Sequence, residues 1–116
     1  MTGGFFLCKE REWTGHYVHD GQHNEMKLAS LKIKGEQVLG RGEDNVGSFV
    51  IDGRIASNGT VEFQKQYIGK HVVHYKGHLN YLEMEGTWAI PQFNMQDAFK
   101  LTRVLQPEEN ESSDSE

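Results

Sequence analysis

The chain has 116 residues, 36% of them hydrophobic and 25% charged, with a single cysteine. These proportions suit one domain that buries a core without disulfide staples, and the length is too short for two. The net charge of −5 is unevenly placed: Glu108, Glu109, Glu111, Asp114 and Glu116 follow Pro107 with no Lys or Arg among them, which leaves 12 acids to balance 12 bases in residues 1–106. A neutral body without a basic cluster lacks the electrostatic footprint of nucleic-acid binding, and no apolar run approaches the roughly 20 residues of a membrane-spanning helix.

Taken from its start, MTGGFFLCKEREW has a short apolar stretch, Phe5 to Cys8, and no cationic leader. No secretory signal is expected, and the lone Cys8 points to a reducing intracellular compartment, cytoplasmic or nuclear. Trp13, Gly15 and Tyr17 then share one face of an alternating segment, and Asp20-Gly21 is a turn dipeptide. Met26 and Leu28 have one parity and Leu31 and Ile33 the other, so a β-bulge is expected near Ala29-Ser30. Gly35 turns the chain toward Gln37 to Leu39, and Gly40 to Asn45 reads as loop.

From Ser48 to Ala56 apolar and polar residues alternate, with Phe49, Ile51 and Ile55 inward and Asp52 and Arg54 outward. Gly53 falls in the inward row, where a missing side chain marks a bend or a close backbone approach. Asn58-Gly59 then reads as a hairpin of type I′, which makes the glycosylation pattern Asn58-Gly59-Thr60 a turn rather than a sugar acceptor. Val61 to Ile68 is the next strand. Gly69-Lys70 turns into His71 to Lys76, and Gly77-His78 is read as the end of that strand. Glu83 to Ile90 alternates cleanly, with Leu82, Met84, Trp88 and Ile90 on one face and Glu83, Glu85 and Thr87 on the other. Pro91 to Asp97 carries no helical period, and Phe99, Leu101 and Arg103 close the series.

About eight strands at ten-residue spacing, with no amphipathic helix, predict an all-β chain: one antiparallel up-and-down barrel or half-open barrel. The expected organisation is a lead-in over residues 1–9, a barrel domain over 10–105 and a disordered acidic tail over 106–116, the tail having charge and no apolar residues. Ser113-Asp114-Ser115-Glu116 places an acid three residues after a serine, as acidophilic kinases favour, and each phosphate would add about −1.5 to −2 charges.

The opening Trp13-x-Gly15-x-Tyr17, with a second Gly/Trp pair in Gly86-Thr87-Trp88, resembles the calycin-type barrels, the lipocalin, fatty-acid-binding and avidin-like families. The likeness covers roughly residues 10 to 104. It implies a closed antiparallel barrel with a central cavity. The chain departs from the family in being shorter and in lacking a lipocalin helix before the last strand.

Six histidines form two H-x2-H-x3-H triplets, His16, His19, His23 and His71, His74, His78. Imidazole is a common metal ligand, but residues three apart on a strand face opposite ways, and no metal or cofactor is expected. His19 and His23 flank the Asp20-Gly21 turn and could meet across it. The glycine-rich Gly40 to Gly47 lacks the following helix that a phosphate loop needs, and Asp44 and Asn45 fall short of a calcium loop. Glu83 and Glu85 are a same-face carboxylate pair whose simplest role is the wet face of a strand, and nothing in sequence activates Cys8.

The aromatic set is more suggestive. Trp13, Tyr17, Phe49, Phe63, Tyr67, Tyr75, Trp88 and Phe99 hold the apolar parity of their strands, as a core or a lined cavity would require. Lys65 and Arg103 share the inward parity with Tyr67 and Tyr75, and a cation inside a barrel is expensive unless it meets an anion. The expected function is a non-enzymatic, monomeric binding module, with Trp13, Tyr17, Phe49, Phe63, Lys65, Tyr67, Tyr75, Trp88 and Arg103 as interior candidates. Its ligand would be a small apolar or weakly anionic molecule, and a protein partner on the mixed-charge outer faces is the other form of that reading. The competing readings are a small enzyme using His and Glu at the barrel mouth, and an adaptor domain cut from a larger eukaryotic protein.

Overall fold

The computed structural model describes residues 6–105, and side chains from Arg11 onward; the acidic tail lies outside the described residues. Eight strands, β1 (Phe6–His19), β2 (Gln22–Gly35), β3 (Gln37–Asp44), β4 (Ser48–Ile55), β5 (Thr60–Tyr67), β6 (Val72–Leu79), β7 (Glu83–Ile90) and β8 (Met95–Arg103), pair in sequence order, and β8 pairs back onto β1. The sheet is therefore a closed antiparallel up-and-down barrel, which leaves no sheet edge unpaired along that seam. Among the described residues the helical content is one short 3-10 turn, Pro91–Phe93, between β7 and β8. β1 begins at Phe6, upstream of residue 10.

Alternation decides which side chains fill the barrel. Val61, Phe63, Lys65 and Tyr67 of β5 point in, as do Phe49 and Ile51 of β4, Val73, Tyr75 and Leu79 of β6, and Met84, Trp88 and Ile90 of β7. In the middle of this core Phe63 stacks on Tyr75, ring centroids 4.9 Å apart and planes 9° from parallel, while Phe99 meets Tyr75 edge-on at 4.8 Å. The bulge expected near Ala29-Ser30 is present. The register of β2 against β3 shifts between Leu28 and Ser30, so Met26 and Leu28 before it and Leu31 and Ile33 after it are all buried despite their opposite parities.

The turns correct the sequence reading in an informative way. The type I′ hairpin sits at Asp20-Gly21, where both residues take positive φ, 52° and 76°, and two residues join β1 to β2. At Asn58-Gly59 only Gly59 is left-handed, with φ 93°. Gly59 N–H donates to the Ala56 carbonyl at 2.9 Å, and the Asn58 side chain accepts from Thr60 N–H at 3.0 Å. This is a four-residue connection in which Asn58 works as a side-chain acceptor rather than as a left-handed residue. Asn-Gly and Asp-Gly have the same turn chemistry; the positions of the strand ends decide which of them becomes the I′ turn.

Three further segments differ from expectation. Gly40 to Asp44 is strand rather than loop, completing β3. β6 passes through Gly77, which lies opposite Gly86 of β7, and ends at Leu79. β8 starts at Met95, so the connection after Pro91 is shorter than the sequence suggested. Gly53 meets its expectation: a Cβ there would lie 2.4 Å from the Phe63 Cβ on the paired strand.

Candidate functional site: a buried lysine beneath an end cavity

In an up-and-down barrel the connections β1–β2, β3–β4, β5–β6 and β7–β8 all lie at one end. A cavity of about 170 Å³ opens there, lined by Tyr17, His19, Val46, Lys65, Tyr67, His71, Val73, Tyr75, Trp88, Ile90 and Met95. Trp88 forms part of the wall, its Nε1–H donating to the Val18 carbonyl at 2.8 Å, with Tyr17 edge-on at 6.2 Å and His19 at 5.9 Å between ring centroids.

Lys65 lines this cavity and is 1% exposed. Its Nζ donates to Asp44 Oδ2 at 2.7 Å and to Met26 Sδ at 3.4 Å. The rings of Tyr17, Phe49 and Tyr67 each lie 4.8 Å from it and that of Tyr75 lies 5.1 Å away, so aromatic faces and one carboxylate surround the charge. Asp44, whose side chain is fully buried, is well satisfied. Oδ1 accepts from Val46 N–H at 2.9 Å, closing the β3–β4 turn, while Oδ2 also accepts from the Tyr67 hydroxyl at 2.6 Å. At the rim the Tyr17 hydroxyl donates to Asn45 Oδ1 at 2.5 Å, and Asn45 Nδ2 donates to Asn24 Oδ1 at 3.3 Å. That relay ties the start of β2 to the β3–β4 turn above the ion pair.

The electrostatics follow from burial. Desolvation pushes the Lys65 ammonium down to about 8, and the hydrogen bond and charge of Asp44 offset only part of that. Burial pushes the Tyr67 and Tyr75 hydroxyls well above their ordinary value, with the Asp44 carboxylate adding to both, and Tyr17 shifts the same way for the same reasons. Between pH 8 and the ordinary lysine value of 10.5, the unfolded chain holds a proton on Lys65 that the folded chain has released. Stability from this group therefore rises with pH across that window and is absent below it. Above about pH 10 the tyrosines act in the opposite sense, because only the unfolded chain ionises them. Denaturant titrations at several pH values should show the wild type gaining stability relative to Lys65→Met from pH 8 to pH 9.5.

Seven of the nine interior candidates are buried; Tyr17 and Arg103 are half-buried. Tyr17, Lys65, Tyr67, Tyr75 and Trp88 line the cavity. Phe49 packs against Lys65 and, edge-on, against Tyr67. Phe63 lies deeper, stacked on Tyr75, and Trp13 lines a separate hollow on the barrel wall. Arg103 is elsewhere: its guanidinium sits 5.1 Å over the Tyr81 ring, beside the β6–β7 connection at the opposite end. Asp44 was not a candidate in the sequence, because Gly40 to Asn45 looks like a turn-forming run. The signal available was the parity Val38, Gly40, Gly42, Asp44, which carries the alternation of β3 to an acid on the inner face.

The histidines do not assemble. His16 and His23 face each other on the outer surface, ring centroids 4.3 Å apart, so the pair across the β1–β2 hairpin is not His19 with His23. Burial, then the neighbouring His23 and Lys100, lowers the pKa of His16. His71 lies 5.1 Å from the Tyr67 ring, while His78 Nε2 is 2.8 Å from the Asn58 carbonyl oxygen. Among the described residues no three His, Cys, Asp or Glu side chains are placed to hold a metal ion. Glu83 and Glu85 lie away from the cavity, and Glu83 stands 3.5 Å from Lys100 Nζ. Larger hollows, of about 700 and 600 Å³, lie on the barrel wall and reach its outer face beside Gly42 and Gly53. Both are broad and carry mixed charge, and neither encloses a buried ionic group.

Fold and site together define a closed eight-stranded β-barrel with a charged pair under an apolar cavity at one end. No family model, no curated protein and no solved structure matches the chain.

Proposed function

We propose that the barrel is a calycin-like binding module that takes a small, largely apolar molecule into the end cavity, with one oxygen of the ligand on Lys65. The observation that carries this reading is the position of the Lys65–Asp44 pair. A buried ion pair contributes little to stability compared with apolar residues of the same volume, so its place beside an apolar cavity is better explained by recognition. An ammonium has three donors; among the described residues Asp44 and Met26 accept from Lys65 Nζ, and the proposed ligand oxygen takes the third donor. Because Asp44 already balances the charge, the ligand is neutral rather than anionic, an alcohol or carbonyl compound rather than a carboxylate. The size fits: an apolar cavity of about 150 Å³ is enough to take up benzene.

The chain has two tryptophans. Trp13, whose Nε1 has no hydrogen-bond partner among the described residues, can be replaced by Phe, leaving Trp88 in the cavity wall as the only indole. Titration of Trp13→Phe with benzyl alcohol should give a saturable change in Trp88 emission, and adding Lys65→Met should weaken the apparent affinity about tenfold, the worth of one hydrogen bond from a charged donor. Emission that drifts linearly to high millimolar alcohol, identically in both proteins, would count against the cavity as a binding site.

A further inference from the structure

We infer that Lys65 is a covalent site: its amine condenses reversibly with a small apolar aldehyde held in the end cavity to form a protonated imine. This rests on the binding reading above and names the reactive class of its ligand. The geometry supplies the parts such a reaction needs. The nucleophilic nitrogen belongs to a side chain that is 1% exposed and lines an apolar cavity of about 170 Å³. A carboxylate lies 2.7 Å from that nitrogen and is held in place by the Tyr67 hydroxyl and the Val46 amide. Exposed lysines of the barrel, such as Lys27, Lys32 and Lys70, have no such surroundings.

The step balances within the site. Asp44 takes a proton from the Lys65 ammonium, leaving a neutral amine beside a neutral acid, and the net charge of the pair stays zero. Nζ attacks the carbonyl carbon; the C–N bond forms as the carbonyl π pair moves onto oxygen, which takes the proton from Asp44. The carbinolamine then expels that oxygen as water, its second proton coming from the nitrogen by way of Asp44. The nitrogen lone pair completes the C=N bond, and because the nitrogen keeps one hydrogen the product is the protonated imine directly, with Asp44 again a carboxylate. Ammonium and aldehyde become iminium and water, with nothing oxidised or reduced and no net proton exchanged. The product keeps the positive charge where the ammonium had it, among Tyr17, Phe49, Tyr67, Tyr75 and Asp44. Surroundings that suit the ammonium therefore suit the adduct. Desolvation also raises the share of free amine at neutral pH above that of an exposed lysine.

The test uses the full chain at pH 7 with a sub-stoichiometric amount of benzaldehyde and sodium cyanoborohydride, which traps the imine as a stable amine. Peptide mapping by mass spectrometry then reads the fraction modified at each lysine. The expected result is about tenfold or more labelling of Lys65 over any exposed lysine, the direction set by its larger free-amine fraction. Benzyl alcohol, which fits the cavity but cannot condense, should suppress that labelling. Lys65→Arg, which keeps the positive charge beside Asp44, should remove the selective label and leave the exposed lysines labelled as before. Adducts spread over the surface lysines with Lys65 unmodified would overturn the imine. If benzyl alcohol still perturbed Trp88 in that case, the binding reading would stand without it; if Trp88 stayed silent as well, both would fall.

Discussion

Asp44→Asn should lower the free energy of unfolding by about 3–5 kcal/mol, because it leaves the Lys65 ammonium buried without its counter-charge. The side chains of Lys65 and Asp44 are 1% and 0% exposed, so solvent cannot take over the lost partner. Removing both charges should behave differently. The double variant Asp44→Leu, Lys65→Met fills the same space with apolar groups and should return to within about 1–2 kcal/mol of the wild type or exceed it. Urea denaturation of the three proteins checks this, and the sign of the coupling is the informative quantity. If Asp44→Asn alone were neutral, the pair would not be a desolvated ion pair, and the electrostatic part of this account would be wrong. A stable double variant would also free the pair from any structural role, which strengthens the case that it is kept for ligand chemistry.

Gly15→Ala should cost about 3 kcal/mol or more and show up as failure of the barrel to close. Gly15 lies on β1 opposite Leu101 of β8, the two strands whose pairing completes the sheet. A Cβ at Gly15 would sit 1.9 Å from the Lys100 carbonyl oxygen and 2.8 Å from the Leu101 Cα. Both are backbone atoms, so no side chain can swing away to make room, and β8 itself must move. Gly69→Ala is the control: Gly69 has φ 72° and nothing within 4 Å of its missing Cβ. Only the cost of the left-handed backbone remains there, on the order of 1 kcal/mol. Hydrogen exchange should separate the two. Gly15→Ala should lose protection along the β1–β8 seam first, and Gly69→Ala only locally at the β5–β6 turn.

That seam gives physical content to the Trp13-x-Gly15-x-Tyr17 opening. Trp13 fills the core, Gly15 lets β8 approach, and Tyr17 reaches the cavity rim. Gly86, in the second Gly/Trp pair, does the same for β6, since a Cβ there would meet the Lys76 carbonyl oxygen at 2.1 Å and the Gly77 Cα at 2.4 Å.

Much of the fold was legible because strand periodicity is a local signal. Glu83 to Ile90 and the inward row of β4 needed nothing beyond alternation, and the bulge at Ala29-Ser30 announced itself as a change of parity. What failed was segments where local chemistry and tertiary pairing disagree. Gly40 to Asn45 has the composition of a loop, yet Gly40 and Gly42 pair with Leu31 and Leu28 of β2, and that pairing makes the run a strand. Gly77-His78 reads as a break for the same reason, whereas Gly77 is where β6 and β7 come close.

The site was half legible. The inward parity of Lys65, Tyr67 and Tyr75 could be read from β5 and β6, because neither strand carries a bulge. Lys65 does meet an anion, as a cation in that row should, but the anion belongs to the chain itself. Asp44 could not be found while its segment was taken for a loop. Arg103 shared the right parity and still lies apart, because parity fixes the face of a strand and not the height along the barrel.

The most direct test of the central claim, that the end cavity holds a small neutral molecule against Lys65, is a methyl-detected NMR titration of the protein with benzyl alcohol. Saturable shifts concentrated at Val46, Val73, Ile90 and Met95, with Met26 responding through Lys65, are the predicted result. Unchanged cavity methyls, with shifts only at Val50 and Ile68 on the barrel wall, would contradict it.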